Sequence, residues 1–215
     1  MADYATRKSA DYSPLVVHFT KDKPFLRADQ VVAGDPLYGF KGATALERLL
    51  NILTTRVVRA SPLPWLTRNP RAVCFTECIW DGLVQLSEAY SPYGLVFSKR
   101  LVFEKGGGPA LYVRGDSFKA LTEAGAVPPA LESFVQPFDP TAVIKQGVPI
   151  DFLHEREWRL PSDLPFVYSD LEYVLVGSKE DASSVIRTIG SANLPDQKVI
   201  PLDVYATIKN AWGTR

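Results

Sequence analysis

Histidine and cysteine are scarce in this chain, with two of each in 215 residues: His18, His154, Cys74 and Cys78. A tetrahedral zinc site would need all four, and the Cys74–Cys78 spacing has no second pair, so no metal is expected. No G-x-S-x-G occurs, and with two histidines a Ser-His-Asp triad has few ways to form. A surplus of one charge is missing as well: 24 Lys and Arg balance 24 Asp and Glu. That balance argues against a broad electrostatic surface for DNA or an anionic membrane. Long apolar runs are absent too; LVVHF and YVLVG have the length of strands and fall far short of a bilayer. The opening MADYATRKSADYSPL lacks the apolar core of a signal peptide. Two cysteines without such a leader read as reduced thiols, and a cytoplasmic location is expected.

What is present is an ordinary globular composition, 46% apolar and 22% charged, enough to form a core without a metal or disulfide. Residues 1–13 are polar and are expected to be a flexible N-terminus, with one α+β domain over 14–215. Strands are predicted at LVVHFT (15–20), RAVCFTE (71–77), YGLVFSK (93–99), ALYVR (110–114), YVLVGS (173–178) and KVIPLDV (198–204). Leu46, Leu49, Leu50 and Leu53 recur at three- and four-residue steps, which predicts an amphipathic helix over 43–55. Further helices are expected at about 78–89 and 180–190, and in places over 115–148 between prolines. GGGP (106–109) lacks the lysine of a phosphate loop and reads as the turn of a hairpin joining 93–99 to 110–114. Lys21–Lys41 reads as loop. Short strands and hairpins predict a mixed, largely antiparallel sheet with flanking helices.

The stretch DFLHEREWRL (151–160) poses the functional question. Read as a strand, it places Glu155, Glu157 and Arg159 on one face and Arg156, Trp158 and Leu160 on the other. An exposed edge strand, its acids neutralised by Arg156 or Arg159, is the plain explanation. Trp158 and the apolar DFL lead-in favour a central strand whose second face opens into a cleft. Paired carboxylates there suit a sugar: one stabilises an oxocarbenium-like transition state and its neighbour orients the nucleophile.

Four stretches, VVHFT (16–20), AVCFTE (72–77), SPYGLVFSK (91–99) and DFLHEREWRL (151–160), resemble the AbiGi-like abortive-infection family of bacterial phage-resistance proteins. The likeness runs from about residue 15 to 166. The order of the motifs is also similar to that of ADP-ribosyltransferases of the DarT type. That resemblance implies an ADP-ribosyltransferase-like fold and NAD as a substrate, with a nucleic acid or protein as the ADP-ribose acceptor. It makes His18, with Thr20 beside it, the residue that grips NAD. Tyr93 or Phe75, the latter flanked by Thr76, becomes the partner stacked on nicotinamide. Glu157 becomes the catalytic carboxylate and Glu155 the group that positions the acceptor. Arg71, or Arg56 or Arg59, suits the pyrophosphate because a guanidinium matches phosphate oxygens bidentately.

The leading expectation is therefore an NAD-dependent ADP-ribosyltransferase, a toxin or phage-defence effector. Because the amide keeps the carboxylate's shape, Glu157→Gln is expected to melt close to the parent. Two alternatives stand beside it. One is a non-catalytic antitoxin binding a cognate toxin through exposed aromatics such as Trp65, Trp80 and Trp212. The other is a metal-dependent nuclease borrowing Asp151, Glu155 and Glu157. None of the three calls for a membrane.

Overall fold

A computed structural model of the chain describes residues 12–22, 44–66, 68–78, 80–143, 149–204 and 207. In chain order the elements are β1 (Leu15–Phe19), α1 (Ala45–Thr55), β2 (Val57–Val58), β3 (Ser61–Pro62), β4 (Arg71–Glu77), α2 (Trp80–Ala89), β5 (Gly94–Ser98) and α3 (Lys99–Glu104). There follow β6 (Gly108–Pro109), β7 (Leu111–Arg114), α4 (Gly115–Glu123), α5 (Pro129–Glu132), β8 (Val135–Val143) and β9 (Pro149–Ile150). The chain then forms β10 (Trp158–Leu160), β11 (Leu164–Pro165), β12 (Leu171–Val176), α6 (Lys179–Ile189) and β13 (Val199–Pro201).

The architecture is α+β. An eight-stranded sheet runs β13-β12-β5-β1-β4-β10-β6, with β3 also paired to β4. Its pairings are antiparallel except β12 with β13, where α6 makes the crossover that a parallel pair requires. A three-stranded sheet, β7-β8-β9, and the short pair β11-β2 complete it.

Alternation along β1 sorts the core onto the two faces of the main sheet. Val16 joins a large cluster with Phe75, Phe97, Leu49, Leu53, Val185 and other apolar side chains. Val17 joins a smaller one with Cys78, Val96, Leu175 and Leu202. Helix α1 starts at a capping box, Thr44 with Glu47, and its predicted apolar stripe buries Leu49 and Leu53 completely. Each such leucine contributes about 1.5–3 kcal/mol of burial. Helix α6 begins the same way, with Ser178 and Asp181 as its box.

Several sequence expectations are corrected. No hairpin joins 93–99 to 110–114: β5 runs straight into α3, capped by the Ser98 hydroxyl, and β7 pairs in parallel with β8. GGGP is the exit from that helix rather than a hairpin turn. Gly106 has φ 93°, its N–H donates to the Phe103 carbonyl, and Gly108 and Pro109 form β6. Within 115–148, Val135–Val143 is a strand despite Pro137 and Pro140. Its first part, opposite β7, has a partner on one side only, and a one-sided strand tolerates proline. The stretch KVIPLDV is extended only over Val199–Pro201 and turns helical at Leu202.

Of the residues expected in a loose N-terminus, Ser13 is buried and Tyr12, half exposed, makes one contact. The backbone N–H of Ser13 donates to Glu77 Oε1 at 2.8 Å, and Lys99 Nζ sits 4.5 Å over the Tyr12 ring. The rest of that segment, residues 1–11, and residues 23–43, which take in most of the loop expected over 21–41, lie outside the described residues. Among the described residues, no helix is long and apolar enough to cross a membrane.

Candidate functional site

The acidic stretch is not one strand. Leu153–Glu155 makes a 3₁₀ turn, Arg156 takes a left-handed conformation at φ 46°, and only Trp158–Leu160 joins the sheet. Strand β10 lies between β4 and β6, inside the sheet rather than at its rim. Its register sets Arg159 opposite Cys74 and Trp158 opposite Phe75; β1 sets Val17 opposite Thr76. Directly opposed residues share a face. Val17, Thr76, Cys74 and Arg159 therefore point to the side of the smaller core cluster. There the sheet floors a cavity of about 310 Å³. Both Glu155 and Glu157 line it, together with Arg159, so the expected trio does meet, through a turn and a strand instead of one strand.

Arg159 is the organising residue, at 1% exposure. Its Nε and Nη2 donate to the two oxygens of Glu157, both at 2.9 Å. Nη1 donates to the carbonyls of Ser133 and Val135 at 3.2 and 3.0 Å, and Nη2 also donates to Gln136 Oε1. Those bonds use all five guanidinium N–H groups. The indole of Trp65, 47% exposed, lies 5.7 Å from the guanidinium carbon. Arg159 therefore has no donor left for a ligand; it fixes the Glu157 carboxylate, whose side chain is 11% exposed. Glu157 also accepts a hydrogen bond from the neighbouring Cys74 thiol, and its carboxylate lines the cavity. Burial and the adjacent Glu157 charge push the Cys74 thiol up to about 12, so the cavity holds no ready thiolate nucleophile.

Glu155 is set differently. Burial raises its carboxyl above the usual range, and the charge of Glu157 adds to the effect, while a hydrogen bond from Tyr90 opposes it. The Tyr90 hydroxyl donates to Glu155 Oε1. That ring stacks on Phe19, with centroids 5.7 Å apart and planes 5° apart, and carries Lys21 Nζ 3.7 Å from its centroid. Burial pushes the Tyr90 phenol strongly upward, with Glu155 adding to it, and lowers the Lys21 ammonium, which Glu155 pulls back up. Two carboxylates of one cavity thus live in contrasting settings: one clamped by a guanidinium, the other holding its proton more tightly.

The remaining predicted site residues divide. Thr76 lines the cavity. His18 and Phe75 border it, but by register their side chains belong to the opposite face, where the rings meet edge-on at 6.0 Å. His18 Nδ1 lies 2.9 Å from the Cys74 carbonyl, and Phe75, at 1% exposure, packs in the large core cluster. Thr20, Tyr93 and Arg71 lie outside the lining. The Thr20 hydroxyl donates to the Ala45 carbonyl at 2.8 Å, and the Tyr93 hydroxyl donates to Asp181 Oδ2 at 3.0 Å. Arg71 donates twice to the Ala60 carbonyl, and Arg59 pairs with Asp163 at 2.6 Å. Trp65 lines the cavity; the Trp80 side chain and Trp212 lie outside the described residues.

Tyr90, Lys21, Phe19 and Gln136 are the residues that sequence reasoning missed. For two of them a signal existed: Phe19 and Lys21 continue the period-two face of Val17. Tyr90, at the end of α2, and Gln136, on a strand interrupted by prolines, carry no such mark. Among the described residues, no group of three or more His, Cys, Asp or Glu is placed to hold a metal ion. No family model, curated protein or solved structure matches the chain.

Proposed function

We propose that the chain is an NAD-dependent ADP-ribosyltransferase, a toxin or phage-defence effector that modifies a nucleic acid or protein, and that its sheet is of the ADP-ribosyltransferase type. The observation carrying this reading is Glu157: a carboxylate at the wall of a 310 Å³ cavity, aimed by a buried arginine with no spare donor. The volume is at the low end of the roughly 300–1,000 Å³ of small-molecule sites, which suits the nicotinamide–ribose end of the dinucleotide.

Cleaving the bond between nicotinamide and ribose turns a cationic ring into a neutral leaving group and moves positive charge onto the ribose. No general acid is needed. A fixed carboxylate in a site shielded from water stabilises that charge with little reorganisation. Glu157 has this role and Glu155 faces the acceptor. The stacking partner of nicotinamide shifts from Tyr93 and Phe75 to the aromatics on the cavity wall, with Trp65 foremost. Lys21, rather than Arg71, is the cation at the cavity with donors not committed to Glu157, since Arg159 also lines it but has none to spare.

The test is nicotinamide release from NAD by the parent and by Glu157→Gln, compared at equal folded fraction. Loss of about 10²–10³-fold in kcat, with NAD binding retained, is the expected result for removing a preorganised transition-state charge. Equal rates would remove the proposal.

A further inference from the structure

Beside the clamped Glu157 stands a second assembly in which four parts of the chain converge. Phe19 comes from the end of β1, Lys21 from the residues just after it, Tyr90 from the end of α2, and Glu155 from the 3₁₀ turn before β10. The ring of Tyr90 is held from two sides, by the parallel stack on Phe19 and by Lys21 Nζ at 3.7 Å. A phenol so fixed has one polar atom to aim, and it aims it at Glu155 Oε1.

Resting on the transferase reading above, we propose that Tyr90 is a positioning residue: its hydroxyl holds Glu155 facing the cavity as the base that takes the proton from an acceptor O–H or N–H group. The acceptor bound beside it is therefore protic and enters neutral, not as an anion. In the transfer, the bond between ribose C1′ and the nicotinamide nitrogen breaks, and its electron pair goes to that nitrogen. The acceptor oxygen or nitrogen forms a new bond to C1′, and the proton it loses ends on Glu155. The division of labour follows from the two settings. A carboxylate already bound twice by a guanidinium is a poor base, whereas one that desolvation makes more basic is a better one.

The charged and titratable groups around Glu155 are Tyr90 just after α2, Lys21 after β1, Cys74 of β4, Tyr112 of β7, and His154 and Glu157 of its own stretch. Cys74 and Tyr112 are each pushed up to about 12, chiefly by burial, so they stay neutral while Glu155 titrates. Lys21 and the Tyr90 hydrogen bond favour the ionised carboxylate; burial and Glu157 oppose it. Removing the phenol hydroxyl therefore moves the Glu155 titration upward.

The experiment uses Tyr90→Phe in the full chain, which keeps the ring between Phe19 and Lys21. The kcat for ADP-ribose transfer is measured across pH, and the Glu155 carboxyl is followed by ¹³C NMR, assigned through Glu155→Gln. In Tyr90→Phe, both the carboxyl midpoint and the ascending limb of kcat are expected to move to higher pH, with KM for NAD within about twofold of the parent's. Glu155→Gln loses about 10²-fold in transfer, the lower range for a general base. Midpoint and limb both unmoved in Tyr90→Phe would overturn the role of Tyr90 while leaving the transferase reading intact. Absence of nicotinamide release from the parent at every pH would sink that reading and this inference together.

Discussion

Five N–H groups of one buried guanidinium, each matched to an acceptor, decide what substitutions at the site will do. Glu157→Gln puts an amide NH₂ against one of the two Arg159 donors, Nε or Nη2, donor facing donor, and takes away the anion facing a cation at 1% exposure. Breaking a buried pair from one side costs about 3–5 kcal/mol. The isosteric argument made from sequence therefore fails. Chemical denaturation should show Glu157→Gln destabilised by that order, so activity has to be read from the folded fraction. Glu155→Gln should behave in the opposite way. Because the folded state raises the Glu155 carboxyl, the folded chain holds that proton more tightly than the unfolded one. The stability from this group is fully present below the ordinary carboxylate range and is lost as pH rises through the raised value. Melting curves of parent and Glu155→Gln should nearly coincide at pH 4, and the variant should melt higher at pH 8. A variant that melts lower at pH 8 would contradict the raised carboxyl.

At the scale of elements, the turn at 106–109 makes the sharpest prediction. A Cβ on Gly107 would stand 2.6 Å from Val102 Cγ1, 2.9 Å from the Val102 carbonyl and 3.0 Å from the Arg159 carbonyl. Two of these contacts are backbone, which cannot swing aside, so Gly107→Ala should lose about 1–3 kcal/mol in urea titration. Sequence periodicity read the regular elements well. The leucine stripe of α1, the alternation of β4 and the apolar run of β12 lie within two residues of their predicted bounds. It failed where pairing partners are distant. Nothing local distinguishes GGGP as a helix exit from GGGP as a hairpin turn, because what β6 pairs with is Trp158 and Arg159, some fifty residues on. Strict alternation over 151–160 likewise could not foresee Arg156 at positive φ. The trio of Glu155, Glu157 and Arg159 was nevertheless found, since a 3₁₀ turn followed by a left-handed residue returns Glu155 to the side of Glu157. Tyr93 is a site aromatic only by the resemblance, which asks for one on a middle strand, yet its hydroxyl serves Asp181 of the α6 capping box.

Across the whole molecule, Arg159 joins the two sheets: it sits on β10 of the large one and donates to Val135 and Gln136 on β8 of the small one. The cavity lies at that junction, so its shape depends on how the sheets meet. Its accessible chemistry is correspondingly quiet. Burial pushes both Cys74 and Cys78 up to about 12, against an ordinary 9.0. At pH 8 that leaves about a thousandfold less thiolate than in the unfolded chain. Both thiols should therefore resist Ellman's reagent in the native protein and react together on unfolding. Rapid native labelling of Cys74 would show a thiolate in the cavity and contradict its assignment as inert. The central claim, that this junction binds a nicotinamide nucleotide over Glu157, is tested most directly by calorimetric titration of the full chain with NAD, beside Trp65→Ala. The account predicts saturable one-site binding in the parent and a Kd raised about tenfold, or 1.4 kcal/mol, in the variant. No saturable heat in the parent, or the same Kd in both proteins, would contradict it.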